Sequence, residues 1–396
     1  MGTDSILTLL FLILLGAWIY SRRDKVQVQK ILFPILYFIM YKSSAGIKAM
    51  DRWAKKFPRL TLWFGYLGIV VGFLGMAFIA VELVRNVIMI FVTQAPLPGV
   101  GIVAPIKTKG FFFVPFFYWI ISIFFIAVVH EFSHGLVARR HNIRIKSSGL
   151  AFLSVVVPVL PAAFVEPDMK QMDKKPLSQQ LAMLGAGPFI NIIFGFIFLG
   201  IVAFLFAPVI NGMTEITGVA VTSVVNDTET GFVGPAAMAG IQPGTVVSHI
   251  DGEKVDAIDV FTGAFDGKLP GDSMTLTVDG VPQEITLGSH PDNASRAYLG
   301  LSVLLDGKIK DSVREKYNIW VDVFIWFFKL MQWMFLLNLG IGLFNLVPMG
   351  PLDGGRMALL VLNRWLGEKR GHAVWKAMST AFLVVILFIV GSSFFG

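Results

Sequence analysis

The 396-residue sequence contains no cysteine. That absence excludes disulfides and every thiolate metal site, so a metal centre could use only His and carboxylate side chains. Charge is scarce as well. Charged residues make up 15% of the chain against 55% hydrophobic residues, and the mean hydropathy is +0.71. A water-soluble domain of this length is not so apolar, and the composition reads as a membrane protein. Acidic residues are the rarer sign, with 26 Asp and Glu against 33 Lys and Arg, for a net charge of +7. No nucleic-acid partner is expected. The basic residues gather between apolar runs instead of interleaving with aromatics, as the positive-inside rule requires. No internal repeat is visible, which leaves a transporter reading without its usual support.

What the chain has is a series of apolar runs. Residues 6–20 form a first helix, short for a full span. Residues 31–41 are apolar, too short to span and broken by Pro34, and they read as an interfacial or re-entrant piece. Spans are expected at residues 60–92, 111–138, 179–206, 320–347 and 377–395. Residues 147–165 are β-branched and hold Pro158 and Pro161, so an extended or hairpin segment shielded from lipid fits better than a helix. The expectation is a polytopic α-helical membrane protein with about six transmembrane helices plus a re-entrant segment. From residue 212 to about 305 the character changes to short alternating runs with turns at Asp251-Gly252 and Asp279-Gly280, a soluble β-rich domain inserted between spans. Four segments follow: residues 1–110, 111–211, 212–310 and 311–396.

Residues 128–135 read Val-Val-His-Glu-Phe-Ser-His-Gly. In this H-E-x-x-H pattern, His130 and His134 lie one helical turn apart on one face, so both imidazoles can reach one ion. Glu131 lies beside that face and suits a general base that takes a proton from water. Two His and a Glu in so apolar a segment are costly unless paired or metal-bound. Catalytic zinc takes three protein ligands, so a third is needed. His141 is too far along the helix, about 10.5 Å from His134. His249 and His290 belong to the β-rich domain, and His372 sits among basic residues. Glu82, Glu166, Asp168 and Asp353 remain as candidates. In span 179–206, Pro188 frees a carbonyl and Asn191 needs a partner at that depth.

The His130-Glu131-x-x-His134 motif, Gly187-Pro188-x-x-Asn191 and Asn345-x-x-Pro348 followed by Leu352-Asp353-Gly354 together resemble the site-2 protease family of intramembrane zinc metalloproteases. Residues 235–252, Pro-Ala-Ala-Met-Ala-Gly-Ile-Gln-Pro-Gly followed by Val-Val-Ser-His-Ile-Asp-Gly, resemble a PDZ domain, and its place between the fourth and fifth spans is similar to bacterial and archaeal members. The resemblance implies one Zn2+ held by His130, His134 and Asp353, with Glu131 as base. It also implies that Asn191 and Asn345 contact the substrate backbone or the oxyanion, and that segment 147–165 pairs with substrate as an added strand. The implied substrates are transmembrane proteins in the bilayer of a prokaryotic cytoplasmic membrane, with peptide or substrate C-termini held at the PDZ-like domain. Two other readings are a membrane-anchored zinc protease that cuts loops and an idle adaptor that recruits partners through its PDZ-like domain.

The positive loops at residues 42–59, 139–146 and 364–376 are expected in the cytoplasm, with the domain at 212–305 outside. Single cysteines at positions 144 and 279 test this with an impermeant thiol reagent on intact cells. Labelling at 279 and protection at 144 are expected; the reverse pattern overturns the orientation.

Overall fold

The computed structural model describes residues 3–32, 36–93, 102–105, 108, 111–155, 157–227, 232–291 and 293–395. The chain divides into two compact units, Met1–Val202 with Phe327–Gly396, and Ala203–Trp326.

In the first unit, α1 (Thr3–Ser21) precedes α2 (Ala45–Lys56), α3 (Pro58–Thr93), α4 (Phe116–Arg140) and α5 (Leu177–Gly200). Then α6 (Ile319–Phe344) begins within the second unit and continues into the first, followed by α7 (Asp353–Leu366) and α8 (Glu368–Phe395). Among the described residues five helices are long and apolar enough to cross a membrane, in Pro58–Val92, Phe116–Arg140, Leu177–Met213, Ile319–Phe344 and Glu368–Phe394. The chain is a polytopic membrane protein. Helix α4 starts later than residue 111 because Pro115 disfavours helix at Val114 and Phe111–Phe113 instead pairs as a parallel strand with Ile102–Ala104.

The basic stretch 42–59 is more than a loop. It folds as amphipathic α2, with Met50 and Ala54 buried and Lys48, Arg52, Lys55 and Lys56 outward. Their spacing gives one apolar stripe, which packs on α4. Asp51 pairs with Arg139 at the end of α4.

Residues 31–41, expected to be interfacial or re-entrant, contribute instead to two antiparallel strands, β1 (Val26–Leu32) and β2 (Leu36–Lys42); Pro34 lies outside the described residues. The signal was the alternation Val26-Gln27-Val28-Gln29, a period of two. Strands β3 (Ile145–Val155) and β4 (Val157–Pro167) form the hairpin expected of segment 147–165. The sheet order is β1-β2-β3-β4, antiparallel throughout. β4 carries Pro158, Pro161 and Pro167, which lack an N–H, and it is tolerated because it is the edge strand. Val137, Ala138, Ile145, Leu184, Leu346 and Met357 meet in one buried core that joins α4, α5, α7 and the hairpin.

The second unit centres on an antiparallel sheet of β5 (Thr214–Val224), β6 (Val246–Ile250), β7 (Ser273–Val278), β8 (Val281–Thr286) and β9 (Leu301–Ile309), in the order β8-β7-β6-β5-β9. Glu253–Lys254 adds a short strand to β6. Both expected turns are two-residue hairpin loops: Asp251 and Gly252 have φ of 49° and 84°, Asp279 and Gly280 of 48° and 83°. Positive φ at both positions is the turn geometry that follows the strand twist, and Asp-Gly suits it. The unit is wider than residues 212–310. By its contacts it runs from Ala203 to Trp326; Lys310 bonds the carbonyls of Met213 and Gly212, and Arg314 pairs with Asp322. Val219, Val247, Val255 and Leu276 form its fully buried centre.

Leu276→Ala should destabilise this unit by ~2–5 kcal/mol, the usual range for a fully buried leucine. Protease resistance of the unit across a urea series measures it, and an unchanged midpoint contradicts the assigned core.

Candidate metal centre and active site

His130 and His134 project from one face of α4, one turn apart, with their Nε2 atoms 3.1 Å from each other. Asp353, the first residue of α7, puts Oδ2 3.0 Å from His130 Nε2 and 3.2 Å from His134 Nε2. These are the residues among those described whose His and carboxylate donor atoms converge as a candidate metal group. The three side chains are at most 12% exposed. A tetrahedral zinc ion with ligand bonds of about 2.0–2.1 Å separates its ligand atoms by about 3.3 Å, close to this triangle. The donor set, two imidazoles and one carboxylate, is that of an open catalytic zinc site.

Space for an ion is set by Gly187 of α5. A Cβ there would run into His134 Nε2 and come within 2.7 Å of His130 Nε2. Any side chain at 187 would therefore fill the region at which both ring nitrogens aim. The residues present fit zinc on both geometry and chemistry.

Each histidine is braced from behind. His134 Nδ1 donates to the Met183 carbonyl at 2.7 Å, which leaves Nε2 unprotonated as a ligand. The carbonyl that Pro188 deprives of its helical partner is that of Leu184, the next residue. His130 Nδ1 lies 3.1 Å from the Asn191 amide nitrogen, while Asn191 Oδ1 is buried with no hydrogen-bond partner. A metal on Nε2 needs a proton on Nδ1. The amide turned by half a revolution satisfies both, with Oδ1 accepting from Nδ1–H.

Asp353 is positioned by a tight chain reversal. Gly354 N–H donates to the Asn345 carbonyl at 2.8 Å, and Trp375 Nε1 donates to the Gly355 carbonyl at 2.7 Å. A Cβ at Gly354 would strike the backbone of Leu346, so Asp-Gly-Gly is the sequence this approach allows. The negative charge also sits at a helix N-terminus, where the dipole favours it.

Glu131 points off the ligand face, and its Oε2 accepts from the Val165 N–H of β4 at 2.9 Å. A cavity of about 280 Å³ is lined by His130, Glu131, His134, Asn345, Asp353 and Arg356, among others. Of the residues singled out in the sequence, Asn345 reaches this cavity and Asn191, at 0% exposure, sits behind His130. The other candidate ligands lie elsewhere. Glu82 pairs with Arg85 at 3.0 Å, Glu166 accepts from Ser147, and Asp168 caps the turn at Lys170. His141 caps the end of α4, and burial, with Arg140 and Lys175 adding repulsion, pushes its pKa below the ordinary value. Sequence reasoning missed the Met183 carbonyl, the Val165 N–H and Arg356. Backbone groups leave no side-chain signature, and Arg356 stood two residues beyond the Leu352-Asp353-Gly354 motif.

Asp353→Ala should sharply lower zinc content, while Glu82→Ala should not, as measured by metal analysis of purified protein. Asn191→Ala should weaken zinc affinity about 10–100-fold, the usual effect of removing a support behind a histidine ligand. Full zinc in Asp353→Ala would move the third ligand elsewhere.

Comparison with known proteins points to one family. The model of Peptidase family M50 matches residues 118–389. The chain is 24% identical over 280 residues to the zinc metalloprotease RasP of Shouchella clausii, covering 57% of this chain and 62% of that protein. It is 23% identical over 264 residues to the probable protease eep of Enterococcus faecalis, covering 56% and 60%. It is 24% identical over 366 residues to the uncharacterized protein MJ0971 of Methanocaldococcus jannaschii, covering 89% and 84%. The match thus spans about six-tenths of the length of the two bacterial relatives. On the family model and on the motifs that converge at this centre, the chain belongs to Peptidase family M50, the site-2 protease family.

Proposed function

We propose that this protein is a zinc-dependent intramembrane endopeptidase that cuts transmembrane segments of membrane-protein substrates. The observation that carries this reading is the donor triangle of His130, His134 and Asp353 with Glu131 beside it, both histidines and the glutamate lying on a helix apolar enough to span a bilayer. Held by His130, His134 and Asp353, zinc would supply Lewis-acid polarisation and would make a water molecule easier to deprotonate. Glu131 takes that water's proton and hands it to the leaving amine. Asn191 and the Met183 carbonyl hold the two imidazoles in the tautomer that leaves Nε2 free. Asn191 is thus a positioning residue, and Asn345, which lines the cavity, contacts substrate.

A helical substrate satisfies its own carbonyls and must unwind before attack. The edge strand β4 offers an extended template for the unwound piece, because its outer backbone groups have no further strand to pair with. Helix-breaking residues in the substrate should help cleavage. The second unit acts as a PDZ-like domain on the extracytoplasmic side of a prokaryotic membrane. It holds peptide or substrate C-termini and selects substrates without doing chemistry. Its edge strands β8 and β9 suit strand addition.

Glu131→Gln keeps the shape of the side chain but cannot accept a proton. Zinc content and fold should survive, while cleavage falls by at least ~10²–10⁴-fold. The assay is purified protein reconstituted with a single-helix substrate carrying Gly or Asn in its cytoplasmic half, with the cut site mapped. Cuts confined to soluble loops would favour a membrane-anchored protease, and undiminished cleavage by Glu131→Gln would remove Glu131 as the base.

A further inference from the structure

A second cavity, of about 250 Å³, lies on the other side of Glu131. Glu131 and Val165 line both it and the metal cavity, so the two share a wall. The rest of its lining is mainly apolar. Val128 and Phe132 come from α4 and Ala163 from β4, while Tyr41, Gly46 and Met50 come from β2 and α2. The reaction described above leaves this space unused. An apolar hollow of roughly 150 Å³ is enough to take benzene, so this one has room for a leucine, methionine or phenylalanine side chain.

The wall from β2 and α2 is firmly seated. Ser148 Oγ donates to the Ser43 carbonyl at 3.0 Å, and Ser43 N–H donates to the Ser148 carbonyl at 2.8 Å. Met50 is 2% exposed and lies against Gly135, where a Cβ would strike its sulfur. The glycine directly after His134 therefore admits α2 to the metal-bearing helix. Tyr41, Gly46 and Met50 all precede residue 118, where the family match begins.

Chemistry decides which substrate residue could reach this cavity. Glu131 gives its proton to the leaving nitrogen, and that nitrogen is bonded to the Cα of the residue following the cut. The side chain of that residue therefore begins two bonds from an atom in contact with Glu131. We propose that the cavity is the subsite for this side chain, that it takes large apolar residues, and that β2 and α2 set its size. The proposal rests on the endopeptidase reading above.

The test uses full-length protein and substrates in which the residue after the mapped cut is Gly, Ala, Leu, Phe or Trp. Wild type should favour Leu or Phe over Gly by ~10–100-fold in kcat/KM, the range for burying one large apolar side chain. Gly46→Leu is directed into the cavity, its new Cβ lying 3.1 Å from the Ser148 hydroxyl and 4.0 Å from Met50 Cε. It should lower kcat/KM for the Leu and Phe substrates toward that for Gly and so abolish the preference. Met50→Ala should widen the cavity and shift the preference toward Trp. An unchanged preference in both variants, or an equal loss on every substrate in both, overturns the subsite. A second readout needs no turnover. A peptide with a photoreactive leucine at that position, bound to the Glu131→Gln protein, should label residues 41–50; labelling confined elsewhere also overturns it. Wild type that fails to cut membrane helices, yet gives the label at 41–50, would refute intramembrane cleavage and leave the subsite standing.

Discussion

Three donor atoms lie within 3.2 Å of one another, and the first unit is arranged to keep them there. His130 and Asp353 are 223 residues apart in sequence. Two imidazole nitrogens and a carboxylate oxygen held at this distance, nearly buried, repel or remain unpaired unless something positive sits among them. A shared divalent cation resolves that conflict. Helix α4 supplies two ligands by its pitch alone. The third needs a chain reversal with no room for a Cβ, which is why glycines follow Asp353.

Helix α5 serves the same end without supplying a ligand. It brings the Met183 carbonyl to one histidine and the Asn191 amide to the other, and between them it leaves Gly187 empty of side chain. The motif Gly-Pro-x-x-Asn is in this light a description of a surface. It pairs an absent side chain that makes space with an amide that fixes a tautomer. Glu131 stands outside this set and is tied to the edge strand β4, so the base and the strand that would present substrate share one hydrogen bond.

Much of this was legible in the sequence for identifiable reasons. His130 and His134 announce themselves because helical spacing puts both on one face. The spans are legible because a helix that faces water cannot stay apolar on every side for so many turns. The Asp-Gly hairpins are legible because only a few residue pairs accept positive φ twice. Asp353 could not be chosen over Glu82, Glu166 and Asp168 on residue type alone; the fold separates them by giving the others local partners. Strands β1 and β2 were hidden because their apolar content resembles a short membrane segment, although Val26 to Gln29 alternate. The burial of Asn191 behind His130 depends on how α5 is rotated against α4, which no local pattern encodes.

The N-terminal strands and α2 form one sheet and one helix face with the family core, so they belong to the same unit as the metal centre. Strands, braces and chain reversal alike take their meaning from the metal they surround. X-ray absorption at the zinc edge of the purified protein tests for it most directly. One zinc per chain is expected, in a first shell of nitrogen and oxygen at about 2.0–2.2 Å, with the scattering of two imidazoles. Absence of stoichiometric zinc, or a shell with three imidazoles, would contradict the assignment of His130, His134 and Asp353 as its ligands.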